Sequence, residues 1–377
     1  MPKNRLRSSA IALGAASMLV LSLAACTGPS PAQSDQRLDS AGEQALSRAK
    51  DFVEKSQAKV TDAALASDSP AIATDISIVV VPCTYAAEGC KRVADSVQEA
   101  GKTLGWDTRM VDPAGDPEKM RQAIRTATQL KVDGIVLGAI PEILVKDDVA
   151  LARAAGIKVV NAMEPNSKEF SDAQTGTDNV LAGRMNAALL TVETGGLGQV
   201  ITINDPQFPA IIGWHTGFTE GLKEFCPSCT IVKEMEFQLS GLQTTLPQEF
   251  QATLTANPEV NAVWAAYDPV VTAITPVIER SSNPDIKIVS HNADPSSLKD
   301  LKSGNKPVVG SVGYSIEWIG YSAMDQMNRL LSDSLSEDDR QRTVPNKLIT
   351  SSNVTTVPWD GDADWKNAFL TAWKSDK

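Results

Sequence analysis

Histidine is almost missing from this chain: His215 and His291 are the only two in 377 residues. His215 falls near the middle of an expected helix, a structural position more than that of a base, so imidazole general-base chemistry has little to draw on. Three catalytic signatures are also missing. There is no Gly-x-Ser-x-Gly elbow, no Gly-x-Gly-x-x-Gly after a strand and no Walker loop, which removes the usual marks of hydrolases, dehydrogenases and P-loop enzymes. Gly195-Gly-Leu-Gly198 leads into a strand pattern instead of a helix and reads as a turn. Acidic residues abound, but no pair is marked for acid–base work. Positive charge is short, 35 Lys and Arg against 46 Asp and Glu for a net charge of −11. That balance argues against nucleic acid and against a polybasic membrane surface. Beyond the first residues, no apolar run is long enough to span a bilayer.

What is present begins at the N-terminus. Met1-Pro-Lys-Asn-Arg-Leu-Arg7 precedes an apolar run from Ile11 to Leu23, then Leu23-Ala-Ala-Cys26. A basic head, a short apolar segment and small residues before a cut site make a secretion signal over residues 1–25. The four residues ending at Cys26 resemble a lipobox, in which the Cys is acylated and becomes the first residue after cleavage; the plainer alternative is an ordinary signal with a chance Cys. The expected location is extracytoplasmic, lipid-anchored to the cell membrane in the periplasm or on the outer face. One acyl chain holds only marginally, so stable anchoring implies two or more. Loss of Lys3, Arg5 and Arg7 with the signal takes the net charge to about −14, further from any polyanionic partner.

Four other Cys remain, in two local pairs, and in an exported protein these read as disulfides, Cys83 with Cys90 and Cys226 with Cys229. A zinc site is the alternative, but it needs two distant pairs to converge with almost no His to help. Cys226-Pro-Ser-Cys229 follows an expected helix and precedes a strand, whereas a redox Cys-x-x-Cys sits at a helix start. No metal and no cofactor is expected.

Residues 26–75 are rich in Ser, Ala, Asp and Gln and read as a tether, in which 40–59 has a helical pattern with a thin apolar face. From Ile76 the pattern changes. The β-branched run Ile76–Val81, then Val93, Val97, Ala100 and Leu104 at helical spacing, ended by Gly105, begin a strict alternation of buried strands and amphipathic helices. Strands are expected at 107–111, 134–137, 157–160, 199–203, 230–236, 262–266, 286–290 and 308–312, with helices between. The fold class is α/β: two similar doubly wound parallel-sheet lobes, to which the resemblance described below adds a multi-strand hinge. With 42% hydrophobic residues, each half has enough apolar matter for its own core. Ligands of open α/β sheets bind outside the carboxyl ends of the strands, so the loops after the strands are where to look.

Several strings carry a resemblance. Val132-Asp-Gly-Ile-Val-Leu137 followed by Ala154-Ala-Gly-Ile-Lys-Val-Val160, Thr177-Asp-Asn-Val-Leu-Ala-Gly183, Asn257-Pro-Glu-Val-Asn-Ala-Val-Trp264 with Asp268, and Ile286-Lys-Ile-Val-Ser-His-Asn292 resemble, in order and spacing, the type I periplasmic binding proteins, the ribose- and galactose-binding solute receptors of ABC importers. The likeness covers about 76–349. It implies three chain crossings, an N-terminal lobe of 76–178 plus 315–346 and a C-terminal lobe of 179–314 plus 347–377, closing on a ligand by hinge bending.

By position, the resemblance points to Thr84, Tyr85 and Glu88 after the first strand, Glu164 after the fourth, Trp214 on the following helix, Tyr267 and Asp268, His291 and Asn292, and Tyr314 at a crossover. Sugar-binding relatives carry Arg at two of these places and this chain does not. A phosphorylated or carboxylate ligand therefore fits poorly. A neutral sugar or polyol fits better, as does a small cation held by aromatic faces with Glu164 and Asp268. The Cys83–Cys90 pair is then either a preset edge of the site or a brace for an exposed loop, and each aromatic has a plainer alternative as core or surface; Trp264, inside a strand, faces the core. The expected protein is a monomeric solute-binding lipoprotein, not an enzyme, serving an ABC permease. The alternatives are a sensory receptor for a membrane signalling partner and a secreted α/β hydrolase. Repressors share the two-lobed core but carry a helix-turn-helix in front, where this chain has its signal and tether.

Overall fold

The computed structural model describes residues 37–61, 69–304 and 307–374. The expected signal peptide, Cys26 and much of the expected tether lie outside them. In the remainder of that tether the helical pattern becomes α1 (Ser40–Ser56), capped by Asp39, whose carboxylate accepts the Gly42 N–H at 2.8 Å, and the helix is docked on the fold instead of free. Its apolar face is thin because Ala45 and Ala49 carry it; both are fully buried. Small side chains let the helix lie close to its neighbours, and Phe52 meets Phe225 at 5.1 Å between ring centroids. Composition hides this docking, since few large apolar residues are needed for it.

The run beginning at Ile76 becomes β1 (Ser77–Pro82), with Ile78 to Val81 all buried. Helix α2 (Glu88–Leu104) follows and stops at Gly105, whose φ of 80° is the left-handed turn glycine adopts freely. Then come β2 (Asp107–Met110), α3 (Pro117–Leu130), β3 (Gly134–Gly138), α4 (Glu142–Ala154), β4 (Lys158–Ala162) and β5 (Ala173–Thr177). The second half repeats the plan with α5 (Asn179–Glu193), β6 (Gln199–Asn204), α6 (Pro209–Phe225), β7 (Thr230–Glu236), α7 (Leu246–Ala256), β8 (Ala262–Ala265), α8 (Asp268–Glu279), β9 (Lys287–His291), α9 (Pro295–Ser303) and β10 (Val308–Tyr314). Last are α10 (Ile316–Leu331), β11 (Gln341–Val344), β12 (Asn346–Ile349) and α11 (Trp365–Ala372).

The strands form two six-stranded sheets, ordered β2-β1-β3-β4-β5-β11 and β7-β6-β8-β9-β10-β12. All pairings are parallel except β10 with β12. The chain passes between sheets after β5, after β10 and between β11 and β12. At these crossings Thr177 Oγ1 donates to the Val344 carbonyl at 2.9 Å and also contacts Asn346 Oδ1, while Asn346 Nδ2 donates to the Asp178 carbonyl at 2.7 Å. Residues 347–377, expected with the second lobe, divide: β12 pairs with β10 in the second sheet, and α11 crosses back. Helix α11 lies on α10: Trp365 stacks on Trp318 at 6.2 Å and Trp373 on Tyr321 at 5.5 Å. An aromatic stripe on α10 needs covering, and α11 supplies matching rings.

Cys226, at the end of α6, bonds to Cys229, just before β7, with Cα atoms 5.2 Å apart, and the bond closes that corner. Helices α5 and α6 approach until backbones nearly touch. A Cβ on Gly183 would sit 1.9 Å from the Trp214 carbonyl, and one on Gly217 would sit 2.0 Å from that of Val180. Since backbone cannot yield as a side-chain tip does, Gly183→Ala is expected to cost at least about 2 kcal/mol, read as a fall in the melting midpoint. A midpoint equal to that of the parent would show that this contact is loose.

Candidate functional site

In both sheets the carboxyl ends of the strands carry the turns that meet between the lobes. Three residues just past strand ends take left-handed backbone without being glycine: Ala139 after β3 at φ 55°, Met163 after β4 at φ 76° and Asn292 after β9 at φ 96°. Such conformations cost energy and persist where surrounding packing imposes them. All three line a chamber of about 70 Å³ between the lobes, which shares lining at Cys83, Glu88, Phe208 and Tyr267 with a wider outer pocket of about 470 Å³.

The two walls differ in character. The second lobe supplies aromatic faces: Phe208 and Trp214 from α6 and its approach, Tyr267 from the β8 loop and Tyr314 from the end of β10. Trp214 is held flat. Its ring stacks on His291 at 4.4 Å and 11°, and its indole N–H donates to Asn179 Oδ1 at 2.9 Å. Tyr314 donates to Asn292 Oδ1 at 3.0 Å, and Tyr267 donates to Asp205 Oδ2 at 3.4 Å. The first lobe supplies the acids, Glu88 at the start of α2 and Glu164 after β4. Glu164 is 3% exposed and reaches the other lobe, its Oε2 accepting the Ala210 N–H of α6 at 3.0 Å. Burial pushes its carboxyl up to about 8, with the charge of Asp205 adding to the effect. Burial likewise pushes Asp205 up to about 6.

The disulfide between Cys83 and Cys90, with Cα atoms 5.9 Å apart, ties the end of β1 to the first turn of α2, and both residues line the chamber. Each of the four Cys is bonded within its local pair, which leaves no thiolates for the zinc alternative.

Of the residues expected in the site, Glu88, Glu164, Trp214, Tyr267, Asn292 and Tyr314 come together around the chamber, and Thr84 lines the outer pocket. Three stand elsewhere. Asp268 is fully buried behind the wall, accepting from Ser290 Oγ, from Ser311 Oγ at 2.9 Å and from the Asp294 N–H at 2.6 Å. It braces the loop after β9. His291 lies beneath Trp214, its Nδ1 3.2 Å from the Ala266 carbonyl, and burial lowers its pKa to about 3, so the ring is neutral. Tyr85 turns outward, donating to Asp95 Oδ1 at 2.9 Å with the Lys91 ammonium 5.3 Å above its ring.

Two polar residues escaped the sequence reading. Asp205 directly follows β6 and was open to the strand-end rule. Arg92 was not, because an Arg inside an amphipathic helix ordinarily faces water. Here it is 4% exposed, donating to both Glu317 oxygens at 2.8 Å, to Asp294 Oδ1 at 3.2 Å and to the carbonyls of Asn292 and Trp359. It joins α2 to the loop after β9 across the lobes.

Two open sheets facing each other over a shared chamber define a two-lobed binding-protein architecture. The family profile described as "Periplasmic binding protein domain" matches residues 78–334. The chain belongs to the type I periplasmic binding proteins. The ribose import binding protein of Escherichia coli is 20% identical over 244 residues, covering 63% of this chain and 78% of that protein. Among solved structures, an ABC transporter solute-binding protein of Agrobacterium vitis with bound allitol superimposes with a TM-score of 0.67 at 21% identity, covering 74% of this chain and 97% of that one. A solute-binding protein of Burkholderia graminis in complex with D-arabinose gives 0.68 at 20% identity, with 76% and 98% covered.

The raised carboxyl of Glu164 has a stability consequence. The folded state holds that proton more tightly than the unfolded chain, so the contribution is full below the ordinary carboxylate value and is lost as pH rises to about 8. The lowered His291 acts oppositely, but only below its ordinary value of 6.5. Between about pH 6.5 and 8, the empty protein is expected to lose thermal stability, and Glu164→Gln to lessen that slope, the remainder falling to Asp294, which burial also pushes up to about 8. Parallel melting curves for parent and variant across this range would refute the assignment.

Proposed function

We propose that this chain is the solute receptor of an ABC importer, taking a small polar molecule of sugar or polyol size between its lobes and delivering it to a permease. The observation that carries the reading is the chamber where the carboxyl ends of both sheets meet, lined by strand-end loops of each lobe. Its aromatic wall suits the C–H faces of a carbon skeleton, and the Asn292 amide and Glu164 carboxylate suit hydroxyl groups. The first turn of α2, which has no side-chain cap, offers further N–H donors. Lobe closure then forms the surface a permease reads. Asp268, His291 and Arg92 hold the loops in shape, and no residue set invites catalysis. The receptor acts outside the cytoplasm, held to the membrane by lipid at Cys26. Among the described residues, no helix is long and apolar enough to cross a membrane.

The test is a thermal-shift screen of sugars and polyols followed by calorimetry. A single-site ligand at 100 times its Kd should raise stability by about 2.7 kcal/mol. Asn292→Gly keeps the left-handed backbone at no cost and removes the amide; it is expected to weaken binding about tenfold while the protein stays folded by circular dichroism. Unchanged affinity would take Asn292 out of the site. Cys26→Ser is expected to move the protein from the membrane fraction to the soluble one, and continued retention would mean that something else anchors it.

A further inference from the structure

We infer that the solute this chamber takes carries a cationic nitrogen, an aminated sugar or polyol or a comparably small amine. The inference rests on the receptor reading above and narrows it. Its basis is the division of the chamber: the first lobe brings carboxylates and the second brings aromatic rings, so closing the lobes presses one against the other. Among the described residues that line the chamber and its outer pocket, none is Lys, Arg or His. The nearest buried cation, Arg92, is fully engaged with Glu317, Asp294 and two carbonyls.

Glu164 is the group aimed at the guest. It is buried and lines the chamber, and only its Oε2 is engaged, by the Ala210 N–H. The other oxygen awaits a donor. A buried carboxylate lining the same chamber as Trp214 and Tyr314 is an arrangement that favours a cation, since ring faces and acid attract the same charge. The empty chamber meets the cost of the acid by keeping it protonated, and an arriving cation takes the place of that proton.

A neutral sugar is served less well. The hydroxyls of Tyr314 and Tyr267 and the indole N–H of Trp214 are already donated to Asn292, Asp205 and Asn179. The donors that remain are the Asn292 amide, the proton held by Glu164 and the N–H groups of the first turn of α2, few for a full rim of hydroxyl groups. An anion is served worst. The three helices that start at the chamber already have acids at their amino ends, Glu88 in the first turn of α2, Asp268 in that of α8 and Glu164 accepting the Ala210 N–H of α6, so the helix-end fields that would attract it are met.

The test uses matched triads with the full-length exported protein: D-glucosamine, D-glucose and D-glucuronate; ribitylamine, ribitol and ribonate; ethanolamine, ethylene glycol and glycolate. Melting shifts and calorimetry should rank the amine first in whichever triad binds, by about tenfold or more over its neutral partner. Glu164→Gln, which keeps the volume and the acceptor for Ala210, should remove that preference while leaving a cooperative melt. A neutral or acidic member binding as tightly as its amine, or an amine preference that survives Glu164→Gln, overturns the cation assignment and leaves the receptor reading standing. Absence of binding by every member overturns both.

Discussion

A parallel strand followed by its crossover helix places the strand's carboxyl end and the helix's amino end on one edge of the sheet. The turns at that edge are where side chains of several strands can meet a ligand, while the opposite edge only reconnects the chain. In this protein two such sheets meet edge to edge. The rest follows from that meeting: the chamber, the left-handed turns at Ala139, Met163 and Asn292, and the reach of Glu164 onto the first turn of α6.

Buried charge in this molecule is divided between shape and site. Arg92 and Asp268 spend their hydrogen bonds holding loops: Arg92 spans the lobes, and Asp268 gathers Ser290, Ser311 and the Asp294 amide. Removing one partner from such a cluster costs far more than the pair contributes, because an uncompensated charge is left behind. Glu164 is different in kind. It has one interlobe contact and an oxygen to spare, at the price of a displaced pKa. Groups of that sort, buried but incompletely satisfied, are where a structure prepares for something else to arrive.

The alternation of strands and helices from 76 onward was plain in the sequence because each element is amphipathic or apolar at its own period. The expected strands at 134–137, 199–203 and 230–236 fall on β3, β6 and β7. Short or polar elements were not plain. Strand β5, Ala-Gln-Thr-Gly-Thr, has no apolar run, and α9 begins on a proline and runs only nine residues. In the site, six of the ten expected residues surround the chamber and a seventh lines its mouth. The other three share one cause. Position after a strand tells which edge a side chain occupies, and it does not tell which way that side chain turns. Asp268 and His291 turn inward to neighbours on β9, β10 and α6, and Tyr85 turns outward to Asp95.

By itself, the sequence determined what depends on local periodicity: the α/β class, the two halves, the order of most strands, and the edge at which any ligand would be met. Pairing of the Cys within each local pair was also near at hand, since close spacing limits the choices. Tertiary structure alone decided the rest. It buried Arg92, docked α1 through two alanines, sent α11 back across to α10, and sorted the acids and the aromatics onto opposite walls. The physical reason is range. Periodicity is a property of neighbours in the chain, whereas the environment of a charge or a ring is made by residues hundreds of positions away, brought close only when both sheets have formed.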